Sequence, residues 1–163
     1  MTTNDQAVTY LKTRVMSASP EELRLMLLDG SLKFARMAQE GLQGGDYEKV
    51  YDGVTRCQAI LIELINCLDH SQDPDLCDRL SSLYTFLFRR LMDASTERNP
   101  EIVCEVIKLL EYERETWVLL MEQLVKDRRG SAAAEPDNGA ATPEFTNTDQ
   151  ADGGQPRMLS VEG

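Results

Sequence analysis

Apolar residues along this chain recur at intervals of three and four, the period that gathers side chains onto one stripe of an α-helix. Four stretches carry it: Leu23, Met26, Leu27, Gly30, Phe34 and Met37; then Val50, Val54, Cys57, Leu61, Leu64 and Leu68; then Leu76, Leu80, Leu83, Leu87, Leu91 and Ala94; and last Val103, Val106, Ile107, Leu110, Trp117, Met121 and Leu124. The boundaries between them are written in capping chemistry. Ser19-Pro20-Glu21, Asp73-Pro74-Asp75 and Asn99-Pro100-Glu101 each set a side-chain acceptor at N-cap, a residue without an amide hydrogen at N1, and a carboxylate beside the positive helix end. Glu22 completes a capping box with Ser19, and Gly44-Gly45-Asp46 supplies one helix stop and the next start. Helices of about 20 to 27 residues joined by short connections force antiparallel neighbours. The predicted fold is all-α, an antiparallel up-down-up-down four-helix bundle over residues 19–129.

Two segments flank it. Residues 1–18 form a short N-terminal cap segment in which Ala7-Val8-Thr9-Tyr10-Leu11 is apolar without a long helical period. It either closes one end of the bundle, covers a groove until a partner displaces it, or presents Tyr10 to another protein. Residues 130–163 are rich in Ala, Gly, Pro, Thr and Asn, carry six acids against Arg157 alone, and offer little to bury; they are predicted to be a disordered acidic tail.

Charge narrows the function classes. With 28 acidic against 17 basic residues and a net charge of −11, the chain lacks the clustered cations that a nucleic-acid binder needs. No apolar run approaches the roughly 18 to 20 residues that cross a bilayer, and Met1-Thr2-Thr3-Asn4-Asp5 has no signal-peptide character, so neither membrane insertion nor secretion is expected and the protein is placed in the cytoplasm. Cys57, Cys67, Cys77 and Cys104 contain no Cys-x-x-Cys pair and read as small buried hydrophobes. The single histidine, His70, sits at a helix end, and no nucleophile elbow, phosphate loop, dinucleotide fingerprint or metal-binding histidine pair occurs. Neither catalysis, cofactor nor metal is expected.

There is more apolar helix surface than one core stripe per helix requires. At about 100° per residue, Leu25, Leu28 and Leu32 lie opposite the first stripe, Tyr51, Ile62 and Ile65 lie to one side of the second, and Phe88 and Met92 flank the third. Either the core stripes are wide, or these positions form a patch that receives an amphipathic partner helix. Arg89 and Arg90 are either solvated and paired within the bundle, or one of them anchors a partner carboxylate or carbonyl; the stem of Arg90 is expected to pack with its head reaching outward.

The chain resembles the flagellin-specific export chaperones, the FliS family. The resemblance rests on Val15-Met16-Ser17-Ala18-Ser19-Pro20-Glu21-Glu22-Leu23 with Leu25-Met26-Leu27-Leu28-Asp29-Gly30, on Gly45-Asp46, on Gln58-Ala59-Ile60-Leu61-Ile62-Glu63-Leu64 with Leu68-Asp69, on Leu80-Ser81-Ser82-Leu83-Tyr84 leading to Arg89-Arg90-Leu91, and on Glu105-Val106 leading to Trp117. It covers about residues 10–124. It implies a chaperone that holds the C-terminal segment of flagellin in apolar grooves, prevents premature polymerisation and delivers the subunit to the flagellar type III export apparatus. Tyr10 corresponds to a family tyrosine linked to docking at the export gate, and Tyr84 opens a block in which this chain has Tyr84-Thr85-Phe86-Leu87 where relatives have Tyr-Asp-Tyr-Met. The expected state is a monomer that binds its client one to one. The alternative is a self-associating helical scaffold or adaptor whose second apolar faces pair with another copy.

Overall fold

The computed structural model describes the backbone of residues 3–132 and the side chains of residues 5–131; the predicted tail lies outside the described residues from position 133 onward. Among the described residues all regular structure is helical: α1 (Thr3–Ser17), α2 (Pro20–Gly44), α3 (Tyr47–Asn66), α4 (Pro74–Glu97) and α5 (Pro100–Ala132).

The caps form as their residue types dictate. The Ser19 hydroxyl accepts from the Glu22 amide while the Glu22 carboxylate accepts from the Ser19 amide, closing a reciprocal capping box at the start of α2. Asp46 and Asp73 accept from the Lys49 and Leu76 amides at the starts of α3 and α4, and Asn99 accepts from the Glu101 amide before α5. Gly45 ends α2 with φ +69°, a left-handed conformation in which a Cβ would be strained.

α2 packs against α3 and α5, and α4 packs against α3 and α5. The side-chain contacts run in opposite senses along paired helices. Trp117, Arg114 and Glu111 of α5 meet Glu21, Asp29 and Arg36 of α2 in turn, so the number falls on one helix as it rises on the other. Between α4 and α5 the same holds for Tyr84 with Glu113 and Arg90 with Glu105.

The core joins Leu28, Leu32, Ala35 and Ala38 of α2 to Val54, Cys57, Leu61 and Leu64 of α3, Tyr84, Leu87 and Leu91 of α4, and Val103, Val106 and Leu110 of α5. The structure thereby reverses the sequence reading of α2. Its buried face is Leu28, Ser31, Leu32, Ala35, Ala38 and Gly41, whereas Leu27 and Phe34 of the predicted stripe are half-buried and pack against the core from the side. The reason is close approach. A Cβ on Gly53 would stand 2.6 Å from the Ala38 amide nitrogen and 2.8 Å from the Phe34 carbonyl, and one on Gly41 would stand 2.8 Å from the Val50 nitrogen. Small residues let the α2 and α3 backbones come together there, and small residues contribute little to an apolar periodicity.

Three further expectations change. Residues 1–18 contain a helix, α1, whose hydroxyls bond back along it from Thr9 to the Asp5 carbonyl and from Thr13 to the Thr9 carbonyl. Every side chain from Asp5 to Ser17 is exposed, so α1 does not close the end of the bundle. α5 is 33 residues long and takes in Gly130, Ser131 and Ala132, so helix replaces the predicted start of the tail. Only Cys57 and Cys77 are buried; Cys104 is half-buried and Cys67, at the C-cap of α3, is exposed.

Candidate functional site

Among the described residues, the apolar side chains outside the core include two surfaces on the bundle helices. The first lies along α3 and α4. Tyr51, Gln58, Ile62 and Ile65 are separated by seven, four and three residues, which sets them on one stripe of α3 beside the buried Val54, Leu61 and Leu64. Tyr51 is 70%, Ile62 48% and Met92 52% exposed, while Ile65 and Phe88 are half-buried and rest on the core. Gln58 Nε2 donates to the Phe88 carbonyl at 3.2 Å, tying the α3 stripe to α4 at its midpoint. Both helices are held from beneath by core residues, Val54, Leu61 and Leu64 on α3 and Leu87 and Leu91 on α4.

The second surface lies between α2 and α5, towards the C-terminal end of α5. Leu25, Val118, Met121 and Val125 line an open groove of about 400 Å³ edged by Glu122, Lys126 and Arg129. An adjoining cavity, also about 400 Å³, is bounded by Arg14, Ser17 and Ala18 on one side and by Glu22, Leu25, Met26, Asp29 and Met121 on the other. Sequence reasoning counted Met121 as core and did not single out Val118 or Val125. The signal was present, since 118, 121 and 125 continue the helical period of α5 past the point where the neighbouring helices cover it.

Beside that groove, the interior holds a polar network. Arg24 of α2 donates to the Tyr84 hydroxyl at 2.8 Å, and Tyr84 donates to Glu113 Oε1 of α5 at 2.9 Å. The Arg24 guanidinium lies 5.0 Å from the Trp117 ring centroid and 5.8 Å from that of Tyr84, and the indole Nε1 of Trp117 donates to the Glu21 carbonyl at 3.0 Å. Burial raises the Tyr84 phenol far above its ordinary value, with Glu113 adding to the rise and the Arg24 cation opposing it. The hydroxyl therefore stays protonated and can donate and accept at once.

These placements sort the predicted partner residues. Tyr51, Ile62, Ile65, Phe88 and Met92 share the α3 and α4 surface, with Arg89 exposed on α4. Leu25 is half-buried and faces the separate α2 and α5 groove. Tyr10 stands on the exposed helix α1. Leu28, Leu32 and Tyr84 are sealed in the core and offer no surface to a partner; for Leu28 and Leu32 the cause is the reversed face of α2, and for Tyr84 it is the satisfied hydroxyl that makes burial of a phenol tolerable. Arg90 bonds Glu105 at 2.6 Å and lies 3.6 Å from Asp93, which accounts for its charge within the protein. Among the described residues, no group of three or more His, Cys, Asp or Glu side chains converges to hold a metal ion, and no helix is long and apolar enough to cross a membrane.

Comparison with known proteins agrees on one family. The family model of flagellar protein FliS matches residues 2–124. The flagellar secretion chaperone FliS of Bacillus subtilis is 30% identical over 122 residues, covering 75% of this chain and 90% of its own. That of Campylobacter jejuni is 34% identical over 108 residues, covering 66% and 84%. That of Escherichia coli is 33% identical over 122 residues, covering 72% and 88%.

Proposed function

The chain belongs to the FliS family, whose members are flagellar secretion chaperones and not enzymes, and from that premise we propose that it binds the C-terminal segment of flagellin in the cytoplasm and delivers it to the flagellar type III export apparatus. The observation that carries this reading is the α3 and α4 surface, where Tyr51, Ile62 and Met92 face water beside half-buried Ile65 and Phe88. An amphipathic client helix laid along that stripe buries its own apolar side and covers these residues, so client and chaperone each lose exposed apolar area. Ordering the client offsets much of the gain, which keeps the complex dissociable at the export machinery.

The antiparallel contacts between paired helices support an up-down-up-down bundle of α2 to α5 as the carrying frame, over residues 19–129, with α1 a separate N-terminal element. This reading assigns exposed Tyr10 on α1 to the export gate and exposed Arg89 on α4 to a client carboxylate or carbonyl. The free protein is monomeric and pairs one to one with its client.

Co-purification of the full chain with full-length flagellin and with flagellin lacking its C-terminal segment tests the reading. Retention of the first and loss of the second is expected; equal retention of both contradicts it.

A further inference from the structure

The α2 and α5 groove sits at the end of the molecule from which the remainder of the chain departs. Val125 lines the groove, and α5 ends at Ala132, about 10 Å further along the axis. The shared family region stops at residue 124, so the final two turns of α5 and everything after them lie beyond what the family model matches.

The groove is apolar at its floor, with Leu25, Val118, Met121 and Val125, and carries Lys126 and Arg129 on its edge against one acid, Glu122. Among the described residues neither Lys126 nor Arg129 forms an ion pair or hydrogen bond. Arg128, next to Arg129, lies near enough to draw the carboxyl of Glu21 lower, after that residue's bonds to backbone and to Ser19. The complementary occupant is therefore apolar and negatively charged. The chain supplies such a segment just after Arg157: residues 158–162 hold Met158, Leu159 and Val161 with the single acid Glu162 and no base, and the part from 133 to 155 that would connect them to α5 contains five acids and no basic residue. A Gly-, Ala- and Pro-containing connector of that length spans on the order of 25 Å, more than the return path requires.

We propose that residues 158–162 dock into the α2 and α5 groove of their own chain, with Met158, Leu159 and Val161 over Leu25, Met121 and Val125 and Glu162 facing Lys126 and Arg129. Tethering places the segment at an effective concentration in the millimolar range, so a contact too weak to persist between separate molecules is populated within one. It covers the apolar end of α5 while leaving the α3 and α4 surface open.

Amide hydrogen exchange on the full-length free protein tests this without any client, so its outcome is independent of flagellin binding. Residues 118–125 are expected to exchange about threefold or more slowly in the native chain than in the Met158→Asp/Leu159→Asp variant. Val125→Asp, which spoils the groove from the other side, should remove protection of 158–162, whereas Leu119→Asp, an exposed residue outside the lining, should not. Equal exchange of 118–125 in native and tail-variant proteins overturns the proposal. Protection that rises with protein concentration also overturns it, in favour of a second copy as the source of the segment.

Discussion

Arg24 and Tyr84 stand sixty positions apart in sequence and are joined inside the protein by a hydrogen bond of 2.8 Å, with the guanidinium held between the rings of Tyr84 and Trp117. The phenol passes its own proton towards Glu113, so one hydroxyl satisfies a cation of α2 and an anion of α5 from its seat on α4. Arg24 Nε, by contrast, is buried with no hydrogen-bond partner. The network thus already carries one unsatisfied donor, which makes the remaining bonds expensive to lose. Tyr84→Phe keeps the ring and removes both bonds. It is expected to destabilise the protein by about 1 to 3 kcal/mol, read as a lower urea midpoint with an unchanged slope.

Gly53 of α3 lies tight against α2, and the three atoms nearest a Cβ added there are all backbone: Ala38 N at 2.6 Å, Phe34 O at 2.8 Å and Ala38 Cα at 3.0 Å. Backbone cannot swing aside as a side chain can. Gly53→Ala should cost about 3 kcal/mol despite the better helix propensity of alanine. Gly44→Ala, with nothing within 4 Å of the added carbon, should be neutral or slightly stabilising. Thermal unfolding of the two variants side by side checks the contrast.

Burial pushes the Cys57 thiol up to about 12, and its Sγ donates to the Ser31 carbonyl; Cys77 is buried too and donates to the Asp69 carbonyl. Cys67 is exposed. A thiol-reactive dye at pH 8 should modify Cys67 first and half-buried Cys104 more slowly, and reach Cys57 and Cys77 only when denaturant is added. Peptide mapping of the labelled protein over time gives the order.

Asp69 accepts from both the hydroxyl and the amide of Ser71, and these bonds, the hydroxyl first, hold its carboxyl below the ordinary value. A carboxyl lowered in the folded state contributes stability above its unfolded pKa of about 3.9, and that contribution is lost as pH falls through the folded value. Ser71→Ala should raise the Asp69 midpoint measured by NMR titration. The stability difference between the two proteins should be present at neutral pH and vanish in strong acid.

Helix ends were the most legible part of this chain, because capping is local chemistry. Ser19 with Glu22, Asp46 and Asp73 each act on amides no more than three residues away, so their residue types alone announce the boundary. Faces were less legible. The buried side of α2 is built from Ser31, Ala35, Ala38 and Gly41 as much as from Leu28 and Leu32, and a reading weighted towards large apolar residues turns the helix round. α1 escaped for a related reason: its Thr and Ser hydroxyls bond back to its own carbonyls, and its apolar residues face water instead of forming a packed stripe. Tyr84 drew attention as a surface contact, yet its burial depends on Arg24 and Glu113, two partners on other helices that no local pattern reveals. On α3 and α4, where the core stripe is made of large side chains, Ile62, Ile65, Phe88 and Met92 fell where the periodicity placed them, beside the core and reaching water.

The account turns on that surface being client-binding and not merely wide core. The most direct measurement is the dissociation constant for flagellin of the Ile62→Asp/Met92→Asp protein against the native chain, with helicity and thermal midpoint recorded on both. We predict an affinity at least about tenfold weaker, some 1.4 kcal/mol, with the fold intact, whereas Leu28→Asp, fully buried on α2, should unfold the protein. Native affinity in a folded Ile62→Asp/Met92→Asp protein would contradict the account.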